Sequence, residues 1–358
     1  MGKSTHFSGQ PLYSQVINLL DRSKILQISQ QHDGERYVKS FNCWSHLVVM
    51  LYAVIMRFDS LREISTSMLA EARKLVHLRL VTMPRRSTLA DANKRRPEAI
   101  FEEIYRSLYT TYHSRLCPDS RSRKTPKWMK RLQIIDSTTI SLFSNLIFKG
   151  VGRHPKIGKK KGGIKVHTVI HANEGIPSDI KFTSAATNDS FMLRPGRLSK
   201  GDIVAMDRAY INYEKFEELT QRGVIYVTKM KKSLRYEVLE DVMYQTPEGY
   251  MEVRIQYVEF TKLLKDGQSI THKARLITYA DVQKRRLITL LTNDMEFDPT
   301  EIIAIYRQRW EIELLFKQLK QNFPLKYFYG ESANAIKIQI WVTLIANLLL
   351  MVMKSGLT

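Results

Sequence analysis

The spacing of apolar residues changes between residues 116 and 131 of this 358-residue chain, and that change limits the architectures open to it. Up to about residue 116 they recur at helical intervals. Beyond residue 131 short continuous or alternating runs of strand type begin. Trp44 to Phe58 is an almost wholly apolar run and predicts a core helix. Ser60-Leu61-Arg62-Glu63 predicts the start of the next helix as a capping box, and Thr88 with Asp91 predicts another. Pro97 then opens a helix through Tyr112. The short helix before it carries Lys94, Arg95 and Arg96. That placement suits the basic member of a helix-turn-helix reader, or a solvated basic face on a small bundle.

Residues 117–131 (CPDSRSRKTPKWMKR) have the Pro, Ser and charge content of a linker. Strand-type runs follow at 132–140, 164–171, 176–184 and 202–207. A helix over 212–222, closed by Gly223, leads into a strand over 224–229. Strands joined by a strand–helix–strand unit argue for a mixed α/β sheet. From Leu234 to Asn293 the pattern is all strand, with runs at 250–260, 272–279 and 286–292, and reads as a β-rich insertion. Pro299 opens one long helix through about Lys320. Ile340 to Met353 is apolar but interrupted by Thr343 and Asn347. It falls short of the roughly 20 residues that span a bilayer and predicts a buried helix. The expected divisions are 1–116 (helical), 117–131 (linker), 132–230 (first part of the sheet domain), 231–298 (insertion) and 299–358 (second part).

Charge narrows the partner. Lysine and arginine number 56 against 35 acidic residues, a formal net charge of +21. Such an excess repels itself unless it meets a polyanion. Nucleic acid is the first candidate and an anionic membrane surface the second. The hydrophobic share of 44% excludes a disordered chain. Cys43 and Cys117 form no CxxC pair, which fits a reducing cytoplasm and excludes a disulfide scaffold. Residues 1–11 lack an apolar signal core, and Gly2-Lys3-Ser4 lacks the preceding glycine of a phosphate-cradling loop. Between Arg121 and Lys165 thirteen basic residues stand against one acid, Asp136. They include Lys159, Lys160, Lys161 and Lys165. Gly150, Gly152, Gly158, Gly162 and Gly163 make the second half of this stretch read as a flexible loop suited to gripping a DNA backbone.

Two aspartates stand out. Asp136 follows the apolar run Leu132 to Ile135, and Asp207 follows Ile203 to Met206. A carboxylate at the end of a buried strand is costly unless paired or bound to a metal, although many such aspartates merely cap turns. A third element is sharper. Tyr306, Arg309, Glu313 and Lys320 lie at offsets of 3, 7 and 14. On one helix they fall within an arc of about 60°. A solvated face of i,i+4 ion pairs would look similar. Tyr306 and Trp310, however, have no need of a solvated charged row. His167 and His171 are four apart on a predicted strand, where that spacing makes no helical metal clamp, and they read as structural.

The spacing Tyr-x2-Arg-x3-Glu-x6-Lys, embedded as YRQRWEIELLFKQLK, resembles the signature of the insertion-sequence-four (YREK) family of DDE transposases. IIDSTT and AMDRAY resemble that family's first and second aspartate motifs. FTSAATNDS resembles the segment between them, with Asn188-Asp189 where relatives often carry His-Asp. No catalytic role is assigned to that pair. The resemblance implies an RNase H-like catalytic domain with a β insertion, preceded by a helical domain that binds element ends. It implies that Asp136, Asp207 and Glu313 bind two Mg²⁺ ions, with Mn²⁺ able to substitute, and act in DNA cleavage and strand transfer. Tyr306, Arg309 and Lys320 would hold phosphates, with Arg208 helping. Trp310 would stack on a base extruded during hairpin formation, or else be a packing residue. Arg95, Arg96 and the four lysines of the Gly-Lys stretch would add DNA contacts. The expected partners are terminal inverted repeats, target DNA and a second copy of the chain in a homodimer, with no membrane. The expected setting is a bacterial cytoplasm. A nuclease that cuts without joining, and a catalytically silent DNA-binding regulator, are the alternatives.

Overall fold

A computed structural model describes residues 12–70, 78, 80, 83–117, 125–141, 152–153, 162–245, 252–263, 267, 269–281, 285–325 and 327–356. The change of periodicity near residue 120 separates helices from sheet. Among the described residues six helices come first: α1 (Leu12–Asn18), α2 (Arg22–Gln31), α3 (Cys43–Ile55), α4 (Leu61–Ala70), α5 (Arg86–Arg95) and α6 (Glu98–Leu116). Short polar side chains start them. Asp21 accepts from the Ser23 and Lys24 amides and Asn42 from the Ser45 amide, each satisfying orphan donors of a first turn. At α4 the Glu63 amide donates to Ser60 Oγ while Glu63 Oε2 accepts from the Asp59 amide, so the predicted box closes one residue early. The second predicted box does not form. α5 begins at Arg86 with no side-chain cap, and Asp91 instead pairs with Arg95 one turn on.

Ten strands follow among the described residues: β1 (Leu132–Ser141), β2 (Gly152–Arg153), β3 (Gly162–His171), β4 (Pro177–Ser184), β5 (Ile203–Met206), β6 (Ile225–Lys229), β7 (Glu237–Gln245), β8 (Glu252–Leu263), β9 (Ser269–Asp281) and β10 (Arg286–Thr292). They form one mixed sheet in the order β2-β3-β1-β5-β6-β10-β9-β8-β7, with β4 also on β3. β1, β5 and β6 run parallel and the other pairings are antiparallel. The strands read as an insertion therefore extend the central sheet. Gly162 and Gly163, read as loop, lie on β3. A Cβ on Gly163 would stand 2.9 Å from Thr139 Cγ2, so close strand packing requires the glycine there.

Side chains alternate across this sheet, as a period of two demands. Leu132, Ile134, Ile203 and Ala205 face one core, shared with the helices. Ile135, Val204 and Met206 face a second core, covered by α7 (Tyr213–Gln221). The last helix, α10 (Ala333–Ser355), joins the helical layer to the sheet. It contains the predicted apolar stretch and is long and apolar enough to cross a membrane by length and composition, yet most of it is buried inside the fold. Its Trp341 packs on Tyr105 of α6 (5.7 Å between ring centres) and on Phe182 of β4 (5.1 Å), and donates to Glu98 at 2.8 Å. One residue thus spans helix, helix and sheet.

The long helix predicted from Pro299 is two helices, α8 (Pro299–Gln308) and α9 (Trp310–Asn322), jointed at Arg309. The Arg309 amide bonds the Tyr306 carbonyl at 3.1 Å, an i to i−3 contact that tightens the turn.

Candidate active site

β1 and β5 run parallel, with Ile135 opposite Met206. The next residue on each is an aspartate, so Asp136 and Asp207 leave the buried sheet side by side. β5 stops there. β1 runs on past Asp136 to Ser141 against β3, close to the predicted run over 132–140, so Asp136 lies within the strand, opposite Thr168, and not at its end. Asp136 therefore sits where β1 loses its parallel neighbour, which frees one side of it. Asp207 caps the short 3-10 turn that follows and accepts from the Ala209 amide at 3.2 Å.

Arg309 closes the site from above. Its Nη1 lies 3.2 Å from Asp136 Oδ2 and its Nη2 bonds Glu313 on the next turn. Its guanidinium stands 5.8 Å from the Tyr306 ring. Burial works against this charge, but Glu313, Tyr306 and Asp136 more than offset it and leave the Arg309 pKa above its usual value. Burial likewise pushes the Asp136 carboxyl up to about 6. The Ser137 amide and Arg309 oppose that rise, while Asp207 and Glu313 add to it. Negative charge is thus crowded here, and a neighbouring cation relieves it. Lys320 Nζ donates to Thr138 Oγ1 of β1 at 2.6 Å, so Arg309 and Lys320 of the predicted stripe both meet the strand that carries Asp136. Trp310 is 54% exposed and free to meet a ligand. Arg208 is exposed beside Asp207.

The carboxylates supply only oxygen donors, the chemistry of a hard divalent ion. In this arrangement, among the described residues, no three histidine, cysteine or carboxylate groups stand close enough to enclose one ion. Arg309 holds the place between Asp136 and Glu313. The donor set is of the kind a hard divalent ion takes, and in this arrangement Arg309 meets two of its members.

A set of polar groups behind Asp136 was not legible in the sequence. Ser137 Oγ donates to Asp189 Oδ1 at 2.5 Å, and Lys165 Nζ donates to the same oxygen at 3.1 Å and to the Thr187 carbonyl at 2.7 Å. The Ser137 amide in turn donates to Asp136 at 2.8 Å. Asp189 thereby braces the backbone beside Asp136. Spacing along the chain does not connect residues 137, 165 and 189. The β1–β3 register and the turn after β4 bring them together. His167 is buried, contacts Thr183 Oγ1 at 2.7 Å, and is held neutral by burial, which lowers its pKa to about 4. Tyr210 buries its hydroxyl near Asp136 and Asp189, and burial raises that group's pKa.

The remaining predicted DNA contacts fare differently. Lys165 is a half-buried strut, with its ammonium already held. Arg96 is also a strut: it is 5% exposed, with Nε on the Gly34 carbonyl at 3.2 Å and Nη2 on the Phe41 carbonyl. Burial lowers its pKa, as it must for a guanidinium inside a core. Arg95 stays exposed and pairs with Asp91. Lys159, Lys160 and Lys161 lie outside the described residues.

A family profile described as Transposase DDE domain matches residues 127–349, and one described as a domain of unknown function (DUF4372) matches residues 8–79. A Sinorhizobium fredii protein named y4zB, provisionally a transposase, is 29% identical over 270 residues, 75% of this chain and 71% of that one. The transposase for insertion sequence element IS231C of Bacillus thuringiensis is 23% identical over 309 residues, 71% of this chain and 63% of that one. A piggyBac transposase synaptic complex with hairpin DNA overlays at a TM-score of 0.44 and 11% identity, covering 96% of this chain and 75% of that chain. A likeness at that level carries no argument about this chain.

Proposed function

The chain belongs to the transposase DDE domain family, in its insertion-sequence-four branch, and on that premise we propose that it binds the terminal inverted repeats of an insertion sequence, cuts there and joins the ends to target DNA. The observation that carries this reading is that Asp207 and Glu313, from two other stretches of sequence, both act by charge on Asp136, while Arg309 bridges Asp136 and Glu313. The mixed sheet with two aspartates leaving adjacent parallel strands supports an RNase H-like catalytic core. The helices of residues 12–116 would be the part that meets element ends.

Asp136, Asp207 and Glu313 would hold two Mg²⁺ ions, which when bound activate an attacking water or 3′-hydroxyl and stabilise the leaving 3′ oxygen. The other groups bind and orient. Arg309 exchanges its two carboxylates for a phosphate, a planar group that suits its fork. Tyr306 supports the guanidinium by its ring. Lys320 and Arg208 neutralise phosphates on either side. Trp310, exposed beside Arg309, offers a stacking face for an extruded base, which is the support for a hairpin route. Ser137 and Asp189 keep Asp136 oriented. A homodimer would pair two ends.

A nuclease on the same scaffold would cut without joining. The test is a labelled duplex bearing the element's end, incubated with the protein, Mg²⁺ and a target plasmid, and run on a denaturing gel. Cut ends, hairpin ends and joined product together support the full reading. Cut ends with no joined product replace it with the nuclease. Nicked or blunt donor ends without hairpins remove the hairpin route alone.

A further inference from the structure

A cationic cleft lies in the helical layer, in the loop between α2 and α3 and against α5. It encloses about 250 Å³ and is lined by Arg36, Tyr37, Lys39, Arg95 and Arg96 among others. Its acids are Asp33 and Asp91, and Asp91 is already paired with Arg95. Glu35, in the same loop, faces inward, where its Oε1 accepts from Ser29 Oγ and the Cys43 amide, each at 2.8 Å. The cleft is therefore positive on balance.

Three further features mark it as built for a ligand. Tyr37 is 81% exposed, and the Arg36 guanidinium stands 5.1 Å from its ring, an aromatic face beside a cation. Tyr37 and Asp33 adopt φ of +60° and +56°, a region that bulky side chains rarely occupy and that persists where surrounding contacts enforce it. Those contacts are present. The Gly34 amide bonds the Ser29 carbonyl at 2.7 Å, and Arg96 bonds the Gly34 and Phe41 carbonyls from beneath. Finally, Arg96 Nη1 is buried with no partner among the described residues. A loop with this strain, this rigidity and an outward-facing aromatic is preorganised for contact.

We propose that this cleft is a DNA-docking site separate from the acidic triad. It seats the phosphodiester backbone against Arg36 and Lys39, with the Tyr37 ring against the adjoining sugar and base. The identity of the polyanion rests on the transposase reading above. The proposal assigns a role to the loop within residues 8–79, the segment matched by the profile of unknown function.

The probe is a fluorescein-labelled duplex of mixed sequence, because backbone contacts do not depend on sequence. Its affinity is measured by anisotropy across a salt series. The proteins are full-length wild type, Arg36→Ala/Lys39→Ala, Tyr37→Ala, and a charge-matched control, Arg285→Ala/Arg286→Ala, with melting curves to confirm folding. The cleft pair should weaken binding on the order of tenfold and reduce the salt slope by about two, one for each phosphate contact. Tyr37→Ala should weaken binding with the slope unchanged. A cleft pair that binds with wild-type affinity and slope overturns the docking site, and the transposase reading stands if wild type still cuts end DNA. An equal loss in the control pair also overturns it, since net charge alone would then be at work. A wild-type protein that neither binds nor cuts DNA overturns both.

Discussion

Arg309 Nη1 lies 3.2 Å from Asp136 Oδ2, although 173 residues separate them in the chain. The same guanidinium bonds Glu313. One arginine thus ties two candidate metal-binding carboxylates together and supplies the positive charge that their crowding calls for. Both side chains of the Asp136 pair are largely shielded, at 14% and 18% exposed, so the tie is stronger than a surface ion pair.

Replacing Arg309 by Gln should leave Asp136 beside Asp207 and Glu313 without its cation. Loss of one partner from a shielded pair costs about 2–4 kcal/mol, read as a lower urea midpoint. Added Mn²⁺ should restore more stability to Arg309→Gln than to wild type, because the ion can enter where the arginine stood. Equal gains in the two proteins would argue against that competition.

The Asp136 carboxyl, with its pKa pushed up to about 6, binds its proton more tightly in the folded than in the unfolded chain. In metal-free protein, stability should therefore fall as pH rises from about 4 to about 6, by at most roughly 3 kcal/mol, and level off above that. Asp136→Asn removes the titrating group and should remove this component of the slope. Urea midpoints across the window, with EDTA present, provide the comparison. Identical slopes in wild type and variant would contradict the raised pKa.

Asp189→Ala should strand the Lys165 ammonium, whose side chain is 12% exposed, and leave Ser137 without its acceptor. The expected cost is about 2–4 kcal/mol. Adding Lys165→Met to Asp189→Ala should recover part of it, because the uncompensated charge is then gone. A double variant no more stable than Asp189→Ala would show that the two residues are not coupled in this way.

Trp341→Ala should cost about 3–5 kcal/mol, since it empties a site bounded by Tyr105, Phe182 and Glu98. Because that site joins the helical layer to the sheet, unfolding should remain a single transition at a lower midpoint. Early loss of the helices alone would show that the two layers are not one cooperative unit.

The parts of this fold that were legible in the sequence are those set by local spacing. The apolar runs before Asp136 and Asp207 gave strands in the expected places, and β10 matches its predicted bounds of Arg286 to Thr292. The core helix at residues 43–55 followed from the almost wholly apolar run of Trp44 to Phe58. What escaped was set by tertiary contact. The joint falls at Arg309, the residue whose side chain meets Asp136, and a helical stripe cannot record a partner on a strand. Lys165 and Arg96 looked like free DNA-facing cations because charge alone does not reveal burial. The brace from Asp189 through Ser137 to Asp136 depends on strand register and has no signature in spacing.

The central claim is that Asp136, Asp207 and Glu313 are the chemical centre of a DNA-cutting and DNA-joining enzyme. The most direct measurement is formation of joined product from an end-bearing duplex and a target plasmid, with wild type and with Glu313→Gln, in Mg²⁺ and in EDTA. The account predicts joined product only for wild type in Mg²⁺, with DNA binding retained by the variant. Equal product from Glu313→Gln, or product formed in EDTA, would contradict it.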